Sequence, residues 1–179
     1  MNILIAEDDP DISTMYSILL EERGHKVIVT DNGEDCLVIY NNEFRNVSDT
    51  TDIREHVQPF DAVILDHRIP KMKGLEVAKE IISMNPHQRI IIASSYNRDI
   101  FDEAAEYFGL PLEVLQKPFF GDDLLNMLKD TTLYDKLKKH LKDVEPLKKA
   151  KLRHEQLKAI TDLLDKQDFK KQNEKTGSK

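Results

Sequence analysis

Five short apolar runs, most of them separated by longer amphipathic stretches, constrain the fold of this 179-residue chain more than any other feature. The runs are rich in β-branched residues and are flanked by turn-forming residues, which is typical of strands. They predict strands at residues 3–6, 27–29, 62–65, 90–93 and 112–115. Nearly continuous apolar strands that alternate with helices are typical of a parallel sheet covered on both faces.

The stretches between the predicted strands place apolar residues at helical spacing. Asp9 followed by Pro10 predicts the start of the first helix, and Gly24 predicts the left-handed turn that closes it. Helical patterns also follow Gly33 and Gly74, and two more cover residues 101–108 and 122–129. Right-handed crossovers leave few arrangements of five parallel strands, of which the flavodoxin-like order 2-1-3-4-5 is the commonest. We therefore predict a doubly wound α/β domain with that order.

Two regions depart from the alternating pattern. Residues 41–58 are polar and lack a clear period, so we predict an insertion before the third strand. Residues 131–179 contain no strand-like run, and their leucines predict helices at 133–144 and 147–168, on either side of Pro146, with a frayed polar end. The prediction is a domain at residues 1–130 followed by a basic helical extension at 131–179.

Charge is divided unevenly between these two parts. Residues 1–129 contain 12 Lys and Arg against 24 Asp and Glu, whereas residues 130–179 contain 14 against 9. Such a division predicts two units that attract each other or that have different partners.

Cysteine content and hydropathy indicate where the protein works. Cys36 is the single cysteine, which excludes an intrachain disulfide, favours a reducing compartment and predicts a small core residue. The apolar run at the N-terminus is too short for a signal peptide, and no window approaches the roughly 20 apolar residues of a membrane span. We expect a cytoplasmic protein with no membrane partner.

Polar residues stand at the carboxyl ends of four predicted strands. They are Glu7, Asp8, Asp9, Asp66, Ser94 and Lys117. The carboxyl ends of parallel strands meet at one edge of a sheet, so acids, a hydroxyl and an ammonium are expected to share one crevice. Mg²⁺ prefers such carboxylate oxygens, and an aspartate beside it can attack phosphorus. Taken alone, the acids at residues 7–9 would fit better as acids that stabilise the start of a helix.

Four segments in this order resemble the response-regulator receiver family over about residues 1–130: ILIAEDDP, ILDHRIPKMKG, IIIASS and QKPF. The resemblance implies that Asp66 accepts a phosphoryl group from a histidine kinase and that Mg²⁺ is required. It also implies that Asp8, Asp66 and the backbone carbonyl of Arg68 bind the metal directly, and that Glu7 acts through water.

The same resemblance assigns the remaining site residues. Ser94 is the switch hydroxyl, and Lys117 pairs with the phosphoryl group and precedes a proline in a bond that is usually cis. One departure is Val114, which stands where the family commonly has an aromatic residue that rotates on activation. Tyr96 or Phe119 could take that part.

The resemblance implies output through the fourth and fifth strands and the helices beside them. We expect the signal to pass through the helical extension to a downstream protein or to a second copy of the chain. An alternative is a transcription regulator whose basic extension binds DNA, although no Gly between 121 and 177 marks the turn of a helix-turn-helix. A phosphatase is disfavoured because its nucleophile would follow the first strand. We therefore expect no enzyme activity beyond the chain's own phosphorylation and dephosphorylation.

Overall fold

The computed structural model describes residues 1–48, 58–95 and 113–130, and these form one parallel sheet with helices on both faces. The strands are β1 (Asn2–Ala6), β2 (Lys26–Thr30), β3 (Ala62–Asp66), β4 (Ile90–Ser94) and β5 (Glu113–Gln116). Their order is β2-β1-β3-β4-β5, and all four pairings are parallel. The predicted fold class and strand order are confirmed, and observed strand ends lie within one residue of the predicted ones.

Four helices are described: α1 (Pro10–Glu21), α2 (Gly33–Ser48), α3 (Gly74–Met84) and α4 (Gly121–Lys129). The helix predicted at residues 101–108 and the two predicted at 133–144 and 147–168 lie outside the described residues. The boundary at residue 130 therefore stays a prediction. Within the described residues, no helix combines the length and the apolar character that crossing a membrane requires.

The ends of α1 follow the sequence signals. Asp9 Oδ1 accepts hydrogen bonds from the backbone N–H groups of Asp11 and Ile12, and Pro10 is the first helical residue. Beyond the other end, Gly24 has a φ of 78°, and its N–H donates to the carbonyl of Glu21. The predicted start and the predicted left-handed glycine are both confirmed.

Helix α2 corrects the prediction of an insertion at residues 41–58. The helix continues to Ser48, so residues 41–48 belong to it, and residues 49–57 lie outside the described part. Phe44 stacks on Tyr40, one turn earlier, with ring centroids 6.2 Å apart, and it packs against the core. A spacing of four residues brings these two rings together on one helix face. The polar residues around Phe44 hid this period in the sequence.

The sheet separates two apolar cores because successive side chains of a strand point to opposite faces. On one face, α2 and α3 cover a core that includes Leu4 and Cys36. On the other, α1 and α4 cover a core that includes Ile3 and Tyr16. Cys36 is fully buried, as predicted, and burial raises the pKa of its thiol to about 12. It is therefore a core residue and not a reactive thiol.

A buried ion pair fixes the end of α4. Arg89 and Glu113 are joined by two contacts of 2.8 Å, and their side chains are only 8% and 3% exposed. The same guanidinium donates to the carbonyls of Met127 and Leu128 at 2.6 and 3.1 Å. These carbonyls lie in the last turn of α4, where intrahelical N–H donors run out, and the carbonyl of Met127 also accepts from the N–H of Asp130. Arg89 thus holds the helix from which the predicted extension leaves the domain.

Candidate functional site

Three carboxylates meet at the carboxyl edge of the sheet. Glu7 and Asp8 directly follow β1, and Asp66 ends the neighbouring strand β3. Each of the three offers an oxygen that lies within 4.8 Å of the others. Glu7 is buried, Asp66 is partly buried and Asp8 is exposed, so the cluster opens to solvent on the Asp8 side. The structure therefore brings together the acids that the sequence placed on two separate strands.

Lys117 connects two of these carboxylates. Its Nζ lies 2.6 Å from Glu7 Oε2 and 3.2 Å from Asp66 Oδ2. The lysine follows β5, at the opposite edge of the sheet from β2, and the Lys117–Pro118 bond is cis. The ammonium offsets the repulsion between these two neighbouring carboxylates.

Burial and charge set the ionisation of the site. Burial raises the pKa of Glu7 above its ordinary value of 4.5, against the hydrogen bond and the charge of Lys117, which lower it. Burial, followed by the nearby charges of Glu7 and Asp66, raises the pKa of Tyr16 as well. Three carboxylates against one ammonium leave the crevice with an excess of negative charge that a bound cation would offset.

Asp8 and Asp9 are neighbours in sequence but have different surroundings. Asp8 belongs to the carboxylate cluster. Asp9 accepts two backbone hydrogen bonds at the start of α1. Of the two exposed acids, only Asp8 offers its carboxylate to the cluster.

Ser94 and Arg68 border the cluster. Ser94 ends β4 and is buried, and its carbonyl accepts a hydrogen bond from the N–H of Lys117 at 2.8 Å. Asp66 pairs with Ala93 in the sheet, so Ser94 lies one residue beyond the partner of Asp66. Arg68 is exposed, and its backbone N–H lies 3.4 Å from Asp66 Oδ1. Both residues thus stand next to Asp66.

The positions considered for the aromatic switch differ in their contacts. Val114 is partly buried and packs against the core beneath α2 and α3. Phe119 stacks on Tyr16, with ring centroids 5.6 Å apart, and packs against the opposite core. Tyr96 lies outside the described residues. Phe119 is therefore engaged with α1 in this structure.

Sequence reasoning did not identify the contacts that shape the loop after Asp66. A Cβ atom at Gly74 would lie 2.2 Å from the carbonyl oxygen of Asp66, so only glycine fits there. Gly33 contacts the same loop, and a Cβ atom there would lie 2.1 Å from the carbonyl oxygen of Met72. The glycines themselves were visible as turn signals, but their distant neighbours were not.

The donor atoms fit Mg²⁺. Three carboxylates from two strands offer hard oxygen ligands, and the exposed side of the cluster leaves room for the water ligands that Mg²⁺ retains. The cluster contains no histidine or cysteine, whereas a zinc site would be expected to contain them.

Comparisons with known proteins agree with this architecture. Residues 3–129 match the response regulator receiver domain. The transcriptional regulatory protein ZraR of Klebsiella oxytoca is 30% identical over 138 residues, which is 76% of this chain but only 27% of that protein. The response regulator receiver protein CpdR of Brucella abortus is 27% identical over 124 residues, which is 69% of this chain and 90% of that protein.

Among solved structures, the receiver domain of the sensor histidine kinase PA1611 from Pseudomonas aeruginosa has a similar fold. The TM-score is 0.52 at 22% identity, over 72% of this chain and 93% of that one. Its structure contains a magnesium ion coordinated in the active site cleft.

Proposed function

The chain belongs to the response regulator receiver family of two-component systems, and from that premise we propose that Asp66 accepts a phosphoryl group from a histidine kinase. One observation carries the proposal. The carboxylate of Asp66 lies within 4.8 Å of two further carboxylates and 3.2 Å from the ammonium of Lys117. A nucleophile, a cation site and a fixed positive charge are the parts that phosphoryl transfer to a carboxylate needs.

In the proposed reaction an oxygen of Asp66 attacks phosphorus, a P–O bond forms, and the P–N bond of the phosphohistidine breaks. Lys117 already contacts Asp66 and Glu7, so its ammonium can turn towards a phosphoryl oxygen when negative charge arrives there. Ser94, at the end of the adjacent strand, is the hydroxyl proposed to bind another phosphoryl oxygen. Hydrolysis of the acyl phosphate returns the carboxylate, and no separate substrate is turned over.

Asp8, Asp66 and the Arg68 carbonyl are the proposed direct ligands of Mg²⁺, with Glu7 acting through water. When bound, Mg²⁺ would offset negative charge on the phosphoryl oxygens. Glu7 is the most buried of the three acids and is already paired with Lys117, which suits a role behind the direct ligands.

We further propose that the signal leaves through α4 and residues 131–179 to a downstream protein or a second copy of the chain, in the cytoplasm. The end of α4 is held by Arg89, so movement of β4 or β5 would be transmitted to the point where the extension begins. The positive charge of residues 130–179 suits an acidic partner surface.

A second candidate is a transcription regulator, favoured by the similarity to ZraR. This chain matches only about a quarter of ZraR, so the activity of the whole ZraR protein does not follow for this chain. DNA binding that weakens steeply with salt would support this candidate, and full-length protein that does not bind DNA at low salt would exclude it.

Treatment with acetyl phosphate and Mg²⁺ tests the proposed function. Intact-mass spectrometry should show the addition of one phosphoryl group to the wild type and none to Asp66→Asn. Asp122→Asn is a matched control, because Asp122 is an exposed acid in the first turn of α4 and should leave labelling unchanged. Undiminished labelling of Asp66→Asn would contradict the assignment.

A further inference from the structure

The loop that follows Asp66 is attached to the start of α2. The N–H of Gly33, the first residue of α2, donates to the carbonyl of Pro70 at 3.2 Å. Two residues further along, in the same first turn of α2, Asp35 Oδ2 lies 3.7 Å from Lys71 Nζ. Two contacts therefore join adjacent residues of the loop, Pro70 and Lys71, to the first turn of α2.

The loop has a conformation that needs such support. Lys71 has a φ of 65°, which is uncommon for a residue with a side chain. The N–H of Met72 donates to the carbonyl of Pro70 at 2.8 Å, which closes a three-residue turn around Lys71. Strained turns of this kind persist where surrounding contacts hold them. Here the carbonyl of Pro70 also accepts the hydrogen bond from Gly33.

Gly33 permits this attachment because it has no Cβ atom. A Cβ there would lie 2.1 Å from the carbonyl oxygen of Met72 and 2.8 Å from a methyl carbon of Val77. The backbone of Gly33 is not in the left-handed region, so its requirement for glycine is one of space. The start of α2 and the loop consequently touch backbone to backbone.

A displacement at Pro70–Met72 would reach the site within a few residues. The backbone N–H of Arg68 lies 3.4 Å from Asp66 Oδ1, and the N–H of Gly74 donates to the carbonyl of His67 at 3.3 Å. At Gly74 the loop is in close contact with Asp66 itself. Between these contacts, the loop has little freedom to absorb a shift imposed by α2.

We propose that Gly33, supported by the Asp35–Lys71 ion pair, is a positioning residue of the metal site. It holds the loop of residues 67–72 so that the Arg68 backbone and the Asp66 carboxylate stand correctly towards Glu7 and Asp8. The inference rests on the proposed function, because the loop carries the carbonyl assigned to Mg²⁺. Helix α2 provides no ligand, but by holding the loop it influences the affinity of the site for Mg²⁺.

Two glycine variants of the full chain separate positioning from stability. Gly33→Ala should weaken Mg²⁺ binding, measured by calorimetry, by about tenfold, the size expected for groups that orient metal ligands. Gly24→Ala is the control: it strains a φ of 78°, but its Cβ meets nothing within 4 Å and it is remote from the loop. It should lower resistance to urea and leave Mg²⁺ affinity unchanged.

A second variant covers the case in which Gly33→Ala does not fold. Combining Asp35→Asn with Lys71→Met removes the ion pair without changing the net charge. It should weaken Mg²⁺ binding about twofold to fivefold, as expected for an exposed pair. For each folded variant, labelling by acetyl phosphate should recover at saturating Mg²⁺.

The outcomes distinguish failure of the proposed function from failure of the positioning role of Gly33. If the wild type binds no Mg²⁺, the proposed function and this inference are both overturned. If the wild type binds Mg²⁺ and Gly33→Ala binds it equally well, only the inference is overturned. If Gly33→Ala is unfolded, unchanged affinity in the Asp35→Asn, Lys71→Met variant overturns it.

Discussion

Replacing Lys117 with Met tests the electrostatic organisation of the site. The side chain of Glu7 is only 2% exposed, and Lys117 is its ion-pair partner at 2.6 Å. Removal of one member of a buried pair commonly destabilises a protein by about 3–5 kcal/mol. Protonation limits this loss, because neutralising a carboxyl group of ordinary pKa 4.5 at pH 7 requires about 3.4 kcal/mol. We therefore expect the apo variant to be about 3 kcal/mol less stable than the wild type at neutral pH.

The effect of Lys117→Met on stability should depend on pH. The pKa of Glu7 is already raised by burial, and loss of the ammonium should raise it further. A carboxyl group with a higher pKa in the folded than in the unfolded protein makes stability fall as pH rises between the two values, since the folded state keeps a proton that the unfolded state releases. The difference in the free energy of unfolding between the wild type and Lys117→Met should therefore be small at about pH 5 and largest at neutral pH.

Mg²⁺ provides an independent check. It would supply positive charge to the carboxylate of Asp66, which Lys117 no longer neutralises, so the variant should bind Mg²⁺ about tenfold more tightly, as expected for the loss of one like charge nearby. At saturating Mg²⁺ this adds about 1.4 kcal/mol to the stabilisation of the variant relative to the wild type. Phosphoryl labelling should nevertheless fall, because the ammonium that binds the phosphoryl group is missing.

Urea unfolding followed by circular dichroism, in EDTA and in Mg²⁺, measures these differences. Lys26→Met is the matched control, because Lys26 is exposed at the start of the edge strand β2. A Lys117→Met variant as stable as the wild type at neutral pH in EDTA, or stabilised less by Mg²⁺ than the wild type is, would contradict this electrostatic role of Lys117.

Two further predictions concern neighbouring acids and the buried ion pair. Asp8→Ala should weaken Mg²⁺ binding by about tenfold or more, whereas Asp9→Ala should mainly destabilise α1, by about 1 kcal/mol; calorimetry giving the reverse order would mean that Asp9 is the ligand. Arg89→Met should destabilise the protein by about 3–5 kcal/mol because Glu113 stays buried without a partner. Adding Glu113→Leu should restore most of that loss in urea unfolding, and an equal loss in both variants would contradict this.

Much of the fold could be predicted because its signals are local. Each strand is a continuous apolar run, and a parallel order follows from strands alternating with helices under a rule of handedness. Asp9, Pro10 and Gly24 act within one or two turns of their own positions, so their effect on α1 is visible in the sequence. The placement of Glu7 and Asp66 at one sheet edge follows from the strand order alone.

Contacts between distant residues required the tertiary structure. Lys117 and Glu7 are 110 residues apart in sequence, and Arg89 and Glu113 are 24 apart. The order of strands brings such residues near one another, but only packing determines which side chains pair.

The close approach of backbones and the length of a helix also depend on residues that are distant in sequence. Position 33, at the start of α2, requires glycine because the carbonyl of Met72, in the loop after β3, lies against it. Helix α2 extends to Ser48 because Phe44 finds the core and the ring of Tyr40, although the surrounding sequence is polar. By itself, the sequence determined the five strands, the start of α1 and the residues at the site's edge, since hydrophobic period and turn chemistry act locally. Pairing, close approach and burial depend on what lies opposite, and only the folded chain decided them.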